Sequence, residues 1–335
     1  MAEQDWQSAY PLAGDPLWAT PPAARYELRP LSVGEILDRI FSLYRTNFWL
    51  FAGLSALSAG VYAGISVLRL VFTHFAGATV GSRTYVFVNA GVGLAQLAVY
   101  LVAYSITHAA TISAVNALYL GQPASFQTAL TTARGLWLRC LGITFWHGWS
   151  AMWVFLVLLV PFVILAAVVA RGLGWLSVIL GFGMFGSLIY GVIAYLRNSL
   201  AVAAAVVEGL SVRAAMRRSK QLASGRTGRI FLLILLFYAL WIVAALIEMP
   251  LGFLVLRSHA AERFAAQAIV LGVNFISTSL VGPVAAIGLC LFYFDERIRR
   301  EGFDIEMLLH GVSPPPPPIP AILPDASGDP TPEQT

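Results

Sequence analysis

Charge is what this chain of 335 residues has least of: Asp, Glu, Lys and Arg together make up 11%. A water-soluble domain carries about 25%, so a solvated globular exterior is excluded. Two cysteines, Cys140 and Cys290, lie in different apolar stretches. That excludes a disulfide framework and a thiolate metal cage, and both read as small core residues. There is no phosphate-cradling glycine loop followed by lysine, no His-Glu-x-x-His and no Cys/His cluster, so the common nucleotide and metal chemistries have no residues to act through. The glycines Gly181, Gly183 and Gly186 stand inside an apolar run with no strand before them; they read as close helix packing and not as a dinucleotide loop. Neither a cofactor nor a nucleic-acid partner is expected, and no enzyme. The first forty-odd residues lack the apolar core of a secretory signal, so the N-terminus is expected to stay uncleaved and inside the cell.

Apolar residues make up 58% of the chain and mean hydropathy is +0.75. Six spans can be drawn at about 47–72, 86–119, 138–169, 175–207, 230–256 and 264–295. Each exceeds the roughly 20 residues a helix needs to cross a bilayer core. With the N-terminus inside, fifteen Lys and Arg fall on the cytoplasmic side. Only Arg83, Arg171, Arg257 and Arg263 fall outside, leaving Arg69 and Arg197 within spans. This asymmetry satisfies the positive-inside rule and puts both termini in the cytoplasm.

A short motif recurs four times between the spans. Ser32, Ser125, Ser211 and Asp304 each precede apolar residues one, four and five positions on, at intervals of 86 to 93 residues. A capping residue before one apolar face is a helix start, and the even spacing marks an internal repeat. The expected fold is an all-α integral membrane protein. Six transmembrane helices form three parallel repeats (about 31–119, 124–207 and 210–297), each an interfacial helix plus a hairpin, closed by a fourth short cytoplasmic helix. Residues 30–310 make the membrane domain. Residues 1–29, rich in Ala and Pro, and 311–335, which include Pro314 through Pro318, are expected to be disordered.

The first repeat helix opens with Ser32 and Glu35 in capping-box spacing. Its apolar stripe of Val33, Ile36, Leu37, Ile40, Phe41 and Tyr44 either lies in the membrane interface or packs on the end of the bundle. The second, fourth and sixth spans are unusually long and carry small residues in their cytoplasmic halves, which suits an inner layer of closely approaching helices. Pro161, Pro250 and Pro283 are candidate kinks in the third, fifth and sixth spans.

Two residue sets are candidates for function. Arg213, Arg217 and Lys220, with Arg218 alongside, form a basic stripe on the third repeat helix. Such a stripe either contacts anionic lipid head groups or only enforces topology. Arg197, Asn198, Glu248, Arg69, His108 and His147 are polar groups within spans, each costly in lipid and so a candidate intramembrane site. Glu248 and Arg69 both stand near the outer ends of their spans, where a pair between them is possible. Arg69 and Glu248 also lie close enough to the interface to snorkel.

Pro30-Leu31-Ser32-Val33-Gly34-Glu35-Ile36-Leu37-Asp38-Arg39 and Glu208-Gly209-Leu210-Ser211-Val212-Arg213-Ala214-Ala215-Met216-Arg217-Arg218-Ser219 resemble a widespread bacterial family, as does the ending Glu296 to Asp304. That family is named after the membrane portion of certain glycerophosphoryl diester phosphodiesterases and includes domains of unknown function. The resemblance covers about 30–310; Lys220-Gln221-Leu222 departs from it, since an aromatic commonly follows the basic pair there. It implies a six-span protein of the bacterial inner membrane and carries over no catalytic residue, because the namesakes' phosphodiesterase chemistry belongs to a separate soluble barrel. The expected role is a scaffold or accessory subunit that contacts anionic lipid and a protein partner. The alternative is a transporter of a small molecule or lipid that uses the intramembrane polar groups.

Overall fold

A computed structural model describes residues 29–75, 83–168, 174–257 and 260–302. Among the described residues the helices are α1 (Val33–Thr46), α2 (Phe48–Phe75), α3 (Arg83–Tyr119), α4 (Phe126–Val168), α5 (Gly174–Asn198), α6 (Ala201–Val207), α7 (Val212–Ala223), α8 (Thr227–Arg257) and α9 (Ala260–Glu301), with no strand. Six stretches among the described residues are long and apolar enough to cross a membrane: Phe48–Phe72, Asn89–Tyr119, Phe126–Ile164, Val178–Val207, Thr227–Val255 and Phe264–Glu301. The chain is an all-α, multi-pass membrane protein. The fourth motif copy and the proline-rich tail lie outside the described residues, as do nearly all of 1–29.

Each hairpin packs its two helices together, α2 on α3, α4 on α5 and α8 on α9, and the hairpins join as neighbours through α3–α4, α5–α8 and α9–α2. The six spans thus close a ring. One end carries α1, α6, α7 and the last turns of α9 and is called here the charged end. There the small residues do what their spacing predicts: Ala109, Ala110 and Ala114 of α3, Ala201 and Ala203 to Ala205 of α6, and Ala286 of α9 are all buried. Without large side chains these backbones approach closely enough to gain dispersion contacts that lipid cannot offer. Toward the opposite end burial thins out, and the helices enclose cavities instead of a core.

The surface helices are unequal, and the sequence reading needs correction here. In α1 the expected capping box forms, with Ser32 and Glu35 each accepting from the other's backbone N–H. Ile36, Ile40 and Leu43 bury its apolar face against α9, so α1 packs on the bundle. The second motif copy starts a helix as expected, since Ser125 Oγ accepts from Thr128 N at 3.2 Å. That helix does not stop before the third span, however; α4 runs unbroken for 43 residues, about 65 Å at about 1.5 Å per residue. The reason is the linker. Asn47 ends α1 and Gly225, with φ of 73°, turns the chain after α7, whereas 131–137 hold no residue outside the helical region.

The fourth span, expected to be one long helix, is broken between Asn198 and Ala201. Ser219 of α7 fills the break: its hydroxyl donates to the Arg197 carbonyl at 2.9 Å and accepts from Leu200 N at 3.1 Å. Backbone groups freed inside an apolar region must find partners, and this one serine supplies two. Pro161, Pro250 and Pro283 lie inside continuous helices. An added Cβ at Gly181 or Gly186 would meet nothing within 4 Å, so these two do not mediate close packing, whereas at Gly183 it would stand 3.6 Å from Leu158 Cδ1. That role belongs to Gly191, where an added Cβ would stand 2.6 Å from the Ala151 carbonyl oxygen across the α4–α5 hairpin.

Two expectations follow. Gly191→Ala should cost about 1–3 kcal/mol by overpacking against backbone, read as reversible unfolding in mixed micelles, while Gly181→Ala stays within about 0.5 kcal/mol; equal effects would remove the close approach. The second concerns pH. The Ser32 backbone N–H, then Arg29 at 2.6 Å, hold the Glu35 carboxyl down at about 2. Its folded-state pKa lies below its ordinary 4.5, so its contribution is complete above that pH and disappears as pH falls toward 2. The difference in unfolding midpoint between wild type and Glu35→Gln should shrink over that window, and a pH-independent difference would contradict the cap.

Candidate functional site

The charged end is organised by two carboxylates where a membrane helix would normally have none. Asp295 and Glu296, on α9, are 1% and 0% exposed, in a stretch where Leu291, Phe292, Tyr293 and Phe294 are also fully buried. A buried ion pair persists only when its remaining lone pairs are met, and they are met here. Arg229 of α8 reaches Asp295 at 2.9 Å and Glu296 at 3.1 Å. Arg299 pairs with Asp295 at 3.0 Å and Arg300 with Glu296 at 3.4 Å. Leu31 ties in the segment before α1: its N–H donates to Asp295 at 2.7 Å, and its carbonyl accepts from Arg229 at 2.9 Å and Arg299 at 2.6 Å. Arg300 also donates to the Gln221 carbonyl at 3.0 Å and to that of Ser224, at the end of α7.

A second cluster lies beside it. Arg218 of α7 bonds Glu208 at 3.0 Å and Glu301 at 2.6 Å, while Tyr293 donates to Glu208. The Glu301 and Glu208 hydrogen bonds push the Arg218 pKa further above its already high ordinary value. Arg218, one of the four residues of the basic stripe, is therefore turned into the bundle and holds α7 to α9. The other three face outward. Arg213, Arg217 and Lys220 are exposed, whereas Ala215, Met216, Ser219, Leu222 and Ala223 on the opposite side are buried.

The intramembrane polar residues separate into two groups. His147 Nε2 contacts the Tyr195 carbonyl at 3.1 Å and its ring stacks on Tyr195. Asn198 donates to Ser150 at 2.9 Å; its Oδ1 is buried without a partner among the described residues. Arg197, next to it, is exposed and gives its carbonyl to Ser219. These three residues support the α5–α6 break. Arg69, Glu248 and His108 instead belong to the interior between α2, α3, α8 and α9. Glu248 accepts from Asn274 at 3.2 Å, and no Glu248–Arg69 ion pair is formed.

That interior holds cavities. One of about 280 Å³ has Arg69, Ser66, Asn89, Gln267 and Tyr62 on its wall. One of about 210 Å³ has Tyr62, Tyr100, Trp241, Asn274 and Thr278. A third, of about 50 Å³, shares Tyr100, Trp241 and Thr278 and ends at His108. Tyr100, Tyr104 and His108 stack in turn, at 5.9 and 5.3 Å between ring centres, and Tyr62 meets Tyr100 edge-on at 5.7 Å. A further hollow of about 460 Å³ between α4, α5 and α8 has an almost wholly apolar wall. Among the described residues no three His, Cys, Asp or Glu side chains converge as a metal site would require. No family model, curated protein or solved structure matches this chain.

The sequence reading missed two features. Asp295 and Glu296 were visible as acids at the end of an apolar run, but Arg229, Arg299 and Arg300 were counted as topology charges and not as their partners. The aromatic column was visible as Tyr100, Tyr104 and His108 at intervals of four, which places them on one helix face. Arg229→Met should cost about 3–5 kcal/mol, because it leaves buried carboxylates short of a partner. Arg213→Met, on the exposed face, should stay within about 0.5 kcal/mol. Unfolding in mixed micelles compares them, and similar losses would remove Arg229 from the keystone role.

Proposed function

We propose that this chain is a non-catalytic protein of the bacterial cytoplasmic membrane with both termini in the cytoplasm. It serves as a scaffold or accessory subunit that grips anionic head groups and a protein partner at its charged end. The resemblance to the phosphodiesterase membrane-domain family belongs to the same proposal. One observation carries it: α7 buries its apolar side and presents Arg213, Arg217 and Lys220 outward together. Each such cation near an anionic leaflet contributes about 1 kcal/mol. Arg218 supports the reading by a different route, since it fixes the helix that carries the other three.

A second reading, transport, has its own support in the file of cavities from Arg69 to His108, with Asn274 linking it to Glu248.

The test of the first reading is lipid selectivity. Spin-labelled phosphatidylglycerol should associate with the wild-type protein several-fold more strongly than spin-labelled phosphatidylcholine. The triple variant R213Q/R217Q/K220Q should lose most of that preference while keeping its unfolding midpoint. An unchanged preference would mean the stripe only sets topology.

A further inference from the structure

The three cavities lie end to end and narrow from one to the next. Tyr62 is common to the first and second, and Tyr100, Trp241 and Thr278 are common to the second and third. The first two fall below the size of a typical small-molecule site, about 300 Å³, when taken singly and exceed it when joined. The third, at about 50 Å³, has room for water but not for a ligand body. It is walled by hydroxyls of Ser58, Thr107 and Thr111 and by His108. The file is therefore a cleft that narrows inward. It begins at the end of the bundle remote from the ion pairs and stops inside the membrane region.

Its chemistry changes along its length. Arg69 is exposed at the wide end, and among the described residues no carboxylate lies within ion-pair distance of it. Amides of Asn89 and Gln267 and the hydroxyl of Ser66 surround the same cavity. Ser66 and Gln96, bonded to each other at 2.6 Å, stiffen that wall. Further in, the faces are aromatic: Tyr62, Tyr100 and Trp241. Glu248 is engaged by Asn274 of the second cavity's wall, so the cleft carries a cation at its mouth and, in its depth, aromatic faces interspersed with amide and hydroxyl groups.

We propose that this cleft binds a single-chain amphiphilic anion. Its carboxylate or phosphate head pairs with the planar donor fork of Arg69, and its chain lies along Tyr62, Tyr100 and Trp241. A cation would meet Arg69 at the mouth, and a neutral chain would leave the guanidinium unmatched. The innermost cavity, at about 50 Å³, has no room for a second chain beside the first. The proposal deepens the transport reading by naming the ligand class of the cleft, and it does not involve the α7 stripe.

The experiment is equilibrium binding of radiolabelled decanoate to the full chain in nanodiscs of phosphatidylcholine, with empty discs as background. One saturable site per chain is expected. Decyl phosphate should displace the label, whereas decanol and decyltrimethylammonium should not. Arg69→Gln should weaken binding tenfold or more and Arg69→Lys by less. Trp241→Ala should weaken it several-fold with the head-group contact intact, and all three variants should retain the wild-type unfolding midpoint. Binding no greater than in empty discs, or unchanged in Arg69→Gln, would overturn the proposal. Displacement by phosphatidylglycerol but not by decyl phosphate would overturn the single-chain assignment in favour of a bilayer lipid. Saturable binding without uptake into proteoliposomes would remove transport and leave the site standing. Loss of the site would leave the head-group reading of α7 untouched.

Discussion

Two carboxylates with no access to water set the terms for the rest of this structure. Asp295 and Glu296 are buried on α9, and an uncompensated charge at such a position costs several kcal/mol even after relaxation. Their compensation recruits one cation from α8, two from the final turn of α9 and a backbone N–H from the segment before α1. The same guanidinium groups then reach on to carbonyls of Leu31, Gln221 and Ser224. Four elements distant in sequence are joined because two acids must be satisfied. The small residues of α3, α6 and α9 follow from this: helices held at one point by ion pairs need slim side chains to close the remaining gap.

The two buried acids also explain why the charged end has a face and not merely a charge. Of the cations near α7, Arg218, Arg229 and Arg300 are spent inward on Glu208, Glu301, Asp295 and Glu296. The cations left exposed on α7 are Arg213, Arg217 and Lys220, with Arg226 exposed just beyond its end. A stripe counted from the sequence alone overstates the available charge, since the residues closest to the bundle have already found acids. Selection between inward and outward cations is a matter of helix phase: Arg218 follows Arg217 directly, yet the turn of about 100° per residue puts one in the core-facing sector and the other in solvent.

Much of the fold was readable from composition and spacing, and the reasons are physical. Spans are visible because lipid demands an unbroken apolar length, and Ser32 with Glu35 is visible because a capping box is local in sequence. What could not be read is what depends on contacts across the bundle. The fused helix start at Ser125 differs from those at Ser32 and Ser211 only in its linker, where no counterpart of Asn47 or Gly225 stops the next turn. Nothing near Leu200 announces a break, because the residue that stabilises it, Ser219, comes from α7. Of the intramembrane polar residues, Arg69 and His108 line one cleft, while His147 and Asn198 serve the α4–α5 packing. Their sequence positions are equally polar and equally costly, so only the helix arrangement distinguishes them.

The asymmetry between the two ends bears on mechanism. Alternating access requires both ends of a membrane protein to open in turn, and here opening the charged end would expose or separate Asp295, Glu296 and their cations. Each broken buried partner costs about 3–5 kcal/mol, and one ligand shifts an equilibrium only by its difference in affinity between the two states. Separating Arg229 from both acids at once would therefore consume most of the binding energy of a micromolar ligand, about 8 kcal/mol. The opposite end has no comparable lock among the described residues; it is held by Gln96 with Ser66, Asn274 with Glu248 and aromatic contacts. Motion is expected there, at the mouth of the cleft. The two ends thus differ in kind: ion pairs fix the basic face of α7 at one, and weaker polar and aromatic contacts bound the cleft at the other.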